Sequence, residues 1–143
     1  MFLGAGPGNG SLAADPFVGT WRLNLTKSKF PPAHGFKSAF YKTEARDNGL
    51  KSTYVIVDAA GKSSHIVFDF KFDGKDYFDS RGDTAVYTRI DANTYEYVEK
   101  KGGKEAWRGR ILVSKDGKTE TETIKVKDAT GPASTIIMVS DKQ

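Results

Sequence analysis

The sequence predicts an all-β protein that folds as a single up-and-down antiparallel barrel of about 8–10 strands. Three observations support this prediction: strand-like runs at regular spacing, turn-forming residues between the runs, and alternation of apolar and polar side chains within them. No stretch of the chain repeats apolar positions at helical spacing over several turns, so a helical fold is not predicted.

Runs rich in β-branched and aromatic residues follow one another along the chain. Between them, Asn48-Gly49, Asp73-Gly74 and Asp116-Gly117 supply residues that accept a positive φ, as tight hairpin turns require. Such short connections make neighbouring strands antiparallel, because parallel pairing needs a long crossover. The predicted strands are residues 17–25, 36–46, 50–58, 63–72, 84–90, 94–100, 105–113, 119–127 and 134–140.

Alternation within these runs assigns one face of each strand to a core. Trp21 and Leu23 share a face in the first run, and Phe68 and Phe70 share one in the fourth. A meander of this kind has two exposed edges unless it closes, and closure gives a barrel whose interior holds side chains or one small ligand. We therefore predict one barrel domain over residues 15–143.

The composition fits a folded domain and argues against several functions. Hydrophobic residues make up 38% and charged residues 28%, which provides enough apolar material for a core. The absence of cysteine excludes disulfides, thiol nucleophiles and cysteine-ligated metals. A net charge of +4, with acidic residues mixed among the basic ones, does not predict a nucleic-acid partner. No run approaches the ~20 apolar residues of a membrane span, and the oligomeric state stays open.

Residues 1–14 form a glycine-rich segment that we interpret as a flexible tail or the remnant of a signal peptide. Ser11 and Ala13 place small residues at the third-last and last positions of a signal-peptidase site that ends before Ala14. This pattern predicts a periplasmic or secreted protein. A tail without any such role is the alternative interpretation.

The segment Gly19-Thr20-Trp21 resembles the Gly-x-Trp of the first strand in the calycins, the superfamily of lipocalins and fatty-acid-binding proteins. In that superfamily the Trp closes one end of the barrel, and the Gly lets another backbone approach. The hairpins within residues 84–139 are similar to the second half of a fatty-acid-binding protein, and residues 15–143 resemble small exported bacterial lipocalin-like proteins. The resemblance implies a lipocalin-like barrel that binds a small apolar or amphipathic molecule.

The sequence also departs from the fatty-acid-binding branch at two places. Residues 26–35 leave no room for the helix pair that covers those barrels. The last strand of that branch carries an inward Arg and Tyr that hold a carboxylate, and residues 134–138 contain neither. A fatty-acid clamp of that type is therefore not expected here.

Large side chains on the expected inward faces are the candidates for contact with a ligand, because aromatic rings supply most of the apolar area of such a cavity. The predicted ligand-binding residues are Trp21, Phe68, Phe70, Tyr87, Tyr97, Trp107 and Ile111. Arg108 and Arg110 are candidates for contact with an anionic ligand, since a guanidinium binds acids bidentately. They share one face, and because two cations inside a cavity are costly, we expect both on the outside.

Catalytic and metal-binding patterns are weak in this chain. His34 and His65 are the only histidines, too few for a zinc site, and no cofactor is predicted. Asp73, Asp76 and Asp79 lack the spacing of a calcium loop, so we interpret them as a solvated turn. No catalytic residue is predicted, and the sequence favours a binding protein without deciding whether it is an enzyme. A cavity enzyme of the isomerase or hydratase type and a filled barrel acting in structure or protein interaction remain alternatives.

Overall fold

A computed structural model of the chain describes residues 15–31, 35–126 and 134–143. These residues form antiparallel strands and no helix, which confirms the predicted fold class. The strands are β1 (Gly19–Leu23), β2 (Phe36–Arg46), β3 (Gly49–Asp58), β4 (Ser63–Lys71), β5 (Tyr77–Phe78), β6 (Thr84–Asp91), β7 (Thr94–Lys101), β8 (Lys104–Val113), β9 (Thr119–Val126) and β10 (Ser134–Lys142). A helix able to cross a membrane is likewise missing from the described part.

All ten strands belong to one sheet with the order β4-β3-β2-β1-β10-β9-β8-β7-β6-β5. Except for β4 and β5, strands that follow each other in the chain are neighbours, and the pairing of β1 with β10 joins the two halves. The edges β4 and β5 meet through a bridge between Phe68 and Asp79, supported by a 3.1 Å hydrogen bond from the Ser80 amide to the Val67 carbonyl. The result is a nearly closed up-and-down barrel, as predicted.

The structure differs from the predicted strands at β5, which no predicted run covers. Tyr77–Phe78 is two residues long and pairs with Thr84 and Ala85 of β6. Alternation is not visible over so short a segment, so the sequence pattern could not indicate it. The expected tail or signal remnant at residues 1–14 lies outside the described residues, and the exported location stays a prediction.

Trp21 is completely buried, which confirms its predicted place in the core. Its indole Nε1 donates a 3.1 Å hydrogen bond to the Phe17 carbonyl, and Tyr41 and Val113 belong to the same buried cluster. Gly19 has φ of +142°, and a Cβ there would lie 2.7 Å from Cε of Lys142. Gly19 therefore admits a side chain from the neighbouring β10, where the resemblance implied a close backbone.

We expect Trp21→Ala to lower the free energy of unfolding by about 3–5 kcal/mol, because it leaves a cavity and removes a buried hydrogen bond. Urea denaturation measures the change. Trp107→Ala, at a half-buried indole on β8, is the matched control and is expected to cost less. A loss below about 1 kcal/mol for Trp21→Ala would contradict the role of this ring in the core.

Candidate ligand-binding cavity

A cavity of about 140 Å³ lies in the barrel interior. An apolar cavity of about 150 Å³ holds one benzene molecule, so the space corresponds to a single ring. Strands β3, β4 and β6 to β10 contribute most of its wall. The lining residues are Phe36, Ser52, Tyr54, Ile56, Ile66, Phe68, Phe70, Arg81, Tyr87, Tyr95, Tyr97, Glu99, Trp107, Ile111, Glu122, Ile124 and Met138.

Most of the residues predicted for ligand contact lie on this wall. The structure places six of them there: Phe68, Phe70, Tyr87, Tyr97, Trp107 and Ile111. Trp21 is not among the lining residues, because it is buried in the cluster around Phe17 and Tyr41. Contact between these side chains and a ligand stays a prediction.

Arg108 and Arg110 lie on the outer face of β8, with side chains 57% and 61% exposed. Arg108 donates to Glu105 at 2.6 and 2.9 Å, and Arg110 donates to Glu96 at 2.8 Å. Trp107 and Ile111, on the opposite face of the strand, line the cavity. The two arginines are therefore directed away from the interior, where an enclosed ligand would lie.

Three glutamates, which the sequence analysis did not select, have buried carboxyl groups inside the barrel. Glu99 is 2% exposed and Glu120 is 4% exposed, and Glu122 belongs to the cavity wall. Alternation could have located them, since Glu122 lies two residues before Ile124 and Glu99 two residues after Tyr97. Because glutamate is rarely buried, it is assigned to the solvent face of a predicted strand, and this general preference outweighed the alternation pattern.

Tyrosine hydroxyls hold two of these carboxyl groups. The Tyr41 hydroxyl donates to Oε1 of Glu120 at 2.5 Å, and the Tyr97 hydroxyl donates to Oε2 of Glu122 at 2.5 Å. Burial raises the pKa of Glu120 to about 8 and also raises the pKa of Glu122, while each tyrosine hydrogen bond opposes the shift. A Cβ at Gly109 would lie 2.5 Å from the Tyr97 ring, so this glycine makes room for that ring.

Glu99 belongs to a charged cluster beside the junction of β4 and β5. Nη2 of Arg81 lies 2.8 Å from Oδ2 of Asp79 and 3.6 Å from Oε2 of Glu99, and Nε lies 4.0 Å from Oδ2 of Asp83. The Arg81 guanidinium also lies over the Phe68 ring, 5.6 Å from its centroid. The guanidinium of Arg81 is therefore shared by the three carboxyl groups of Asp79, Asp83 and Glu99.

The environment of this cluster corrects one interpretation of the sequence. Asp79 was expected in a solvated turn, but it is only 9% exposed, because its carboxylate turns inward to Arg81. Burial raises the pKa of Glu99 to about 7; Arg81 opposes this shift, and the negative charge of Asp79 reinforces it. Glu99 therefore changes its protonation near neutral pH.

The buried Glu120 predicts a stability that falls as pH rises. Its pKa in the folded protein is about 8, above the ordinary 4.5, so the folded state binds more protons than the unfolded state between these values. Its contribution is complete below pH about 4.5 and is lost as pH rises through about 8. In this window one such group changes the free energy of unfolding by up to about 1.4 kcal/mol per pH unit.

Urea denaturation between pH 5 and pH 9, values spanning about this window, should show a shallower decline for Glu120→Gln than for the natural protein. Glu96→Gln, at an exposed carboxylate paired with Arg110, is the control and should keep the natural slope. An identical pH profile for Glu120→Gln and the natural protein would show that this carboxyl is not protonated in the folded state.

Comparison with known proteins supports the fold. No protein-family model and no curated protein matched the sequence. A Schistosoma mansoni fatty-acid-binding protein in complex with arachidonic acid is similar in structure, with a TM-score of 0.59 and 15% identity, over 90% of this chain and 96% of that one. Zebrafish ileal bile acid-binding protein complexed with cholic acid has a TM-score of 0.56 and 11% identity, over 90% and 99% of the two chains.

A third similar structure is Rv2717c from M. tuberculosis, with a TM-score of 0.58 and 12% identity, over 96% of this chain and 99% of that one. All three alignments cover at least 90% of this chain at low sequence identity, so they establish the architecture. The expected resemblance is confirmed at the level of the fold: the structural neighbours of this chain are barrels of the fatty-acid-binding-protein and calycin kind.

Proposed function

We propose that the protein binds a small lipophilic molecule inside its barrel. The observation that carries this proposal is the cavity of about 140 Å³, whose wall is mostly aromatic and aliphatic. An apolar ligand that enters this space has its surface removed from water, so the cavity favours binding over a purely structural barrel.

The structural neighbours support the same proposal in a general way. Two of them are complexes, one with arachidonic acid and one with cholic acid, so barrels of this architecture accommodate lipophilic molecules. The cavity of this chain has the size of one ring or a short chain, because tyrosine and phenylalanine rings occupy much of the interior. A compact ligand is therefore the better fit.

A cavity enzyme is the second candidate, and the Tyr97–Glu122 pair favours it. Burial raises the pKa of Glu122, and the carboxyl lies on the cavity wall beside a phenol. A carboxyl that keeps its proton in an apolar site can donate it to a substrate oxygen. Chemical conversion of a bound probe, followed by mass spectrometry, would distinguish this function from simple binding.

Binding of a single-ring hydrocarbon tests the main proposal. Toluene at about ten times its dissociation constant should stabilise the protein by about 1.4 kcal/mol, which raises the melting temperature by a few degrees. Ile124→Phe places extra atoms in the cavity and should reduce this shift. Leu112→Phe, on the outer face at a side chain that is 46% exposed, is the matched control and should keep it.

A melting temperature that no apolar ring raises would contradict the proposed function. So would an equal shift in Ile124→Phe and Leu112→Phe, since that result would place the hydrocarbon outside the cavity. Native mass spectrometry of the purified protein gives an independent measurement, because a retained ligand adds a defined mass.

A further inference from the structure

The described part of the cavity wall contains more acidic than basic side chains, unlike a site that binds carboxylic acids. Among the described lining residues, the carboxyl groups are those of Glu99 and Glu122, and the cation is that of Arg81. Arg81 is already engaged by Asp79 and approached by Asp83. An entering carboxylate would therefore meet an arginine that is already paired with Asp79 and lies beside the Glu99 carboxyl group.

Glu99 has an unused capacity to accept a hydrogen bond. Its Oε2 is buried and has no hydrogen-bond partner among the described residues, although Nη2 of Arg81 lies 3.6 Å away. A buried carboxylate oxygen without a partner is costly, and a donor supplied by a ligand removes that cost. The Glu99 side chain also lines the cavity, which places this carboxyl group next to a ligand held there.

Aromatic rings around Glu99 provide a second source of attraction for a cation. The Arg81 guanidinium already lies over the Phe68 and Trp107 rings, at 5.6 and 5.8 Å from their centroids. The ring of Tyr87 lies on the same wall. Positive charge is favoured over the faces of such rings, and this attraction grows when the cation is removed from water.

We propose that the cavity binds a small organic amine in its ammonium form, with a single ring or short apolar body among the aromatic side chains and the nitrogen beside Glu99. This inference rests on the proposed binding function and assigns its ligand class. The same site discriminates against carboxylic acids of equal size when Glu99 is ionised, because the Glu99 carboxylate repels their charge.

Proton exchange gives this proposal a pH signature. Arg81, Asp79, Asp83 and Tyr87 face Glu99. Burial is the main cause that raises the Glu99 pKa to about 7, Asp79 and Asp83 add to the shift, and Arg81 opposes it. Where Glu99 is protonated, it must release that proton to solvent before it can pair with an ammonium. The number of protons released for each amine bound therefore falls from about one well below the Glu99 pKa to about zero well above it. Affinity for an amine therefore rises with pH through this range, as long as the amine itself stays protonated.

Benzylamine, benzyl alcohol and benzoate are suitable probes, since they share one ring and differ in charge. Calorimetric titration of the natural protein at pH 8, a pH about one unit above the Glu99 pKa, should show benzylamine binding about tenfold more tightly than benzyl alcohol, with benzoate weakest. Benzylamine affinity should fall about tenfold between pH 8 and pH 6. Benzyl alcohol affinity should change little over the same range.

Glu99→Gln keeps the shape of the side chain and removes its charge. It should bring benzylamine and benzyl alcohol to within about twofold of each other and abolish the pH dependence. Glu96→Gln, on the outer face of the same strand, is the matched control and should behave like the natural protein. If Glu99→Gln fails to fold, the three probes on the natural protein still decide the question.

The possible results of these titrations distinguish a failure of the amine preference from a failure of the proposed binding function. Equal affinity for benzylamine and benzyl alcohol would overturn the amine preference while leaving the binding function intact. Tightest binding of benzoate, lost in Arg81→Gln, would overturn it in favour of an anion site. Absence of binding by all three probes, together with no stabilisation by toluene, would remove the proposed function itself.

Discussion

Closure of the sheet is the constraint on which the rest of the structure depends. The pairing of β1 with β10 and the bridge between Phe68 and Asp79 leave each long strand with one face inside and one outside. A register slip of one residue would exchange these faces along a whole strand. On β8 such a slip would bring Arg108 and Arg110 inside in place of Trp107 and Ile111, so the closed register decides which chemistry the interior contains.

The same register places glutamates in the interior of β7 and β9, and the surrounding side chains make this tolerable. Tyr41 and Tyr97 donate short hydrogen bonds to Glu120 and Glu122, which lowers the cost of removing the carboxyl groups from water. Glu99 has a looser arrangement, in which Arg81 is shared with other carboxylates. Glu99 thus lacks a tyrosine donor of its own, and its side chain lines the cavity.

Strand alternation was enough to predict the architecture and six of the residues on the cavity wall. Phe68 and Phe70 follow from the period of β4, and Trp107 and Ile111 follow from that of β8 together with the cost of burying two arginines. The charged cluster could not be predicted in this way. Arg81 lies in the loop after the two-residue β5, and its approach to Glu99 depends on how the β4 and β5 edges meet in space.

Polar groups inside an apolar cavity set ligand specificity more strongly than the apolar wall does. Adding or removing one methylene group changes binding by about 1–3 kcal/mol, whereas a ligand that leaves a buried polar group unpaired is rejected far more strongly. In this barrel the aromatic wall determines the size and shape of what can enter. In the proposed amine site, Glu99 and Arg81 select the charge of the ligand, because Oε2 of Glu99 has no hydrogen-bond partner among the described residues and Arg81 has little capacity left for an acid.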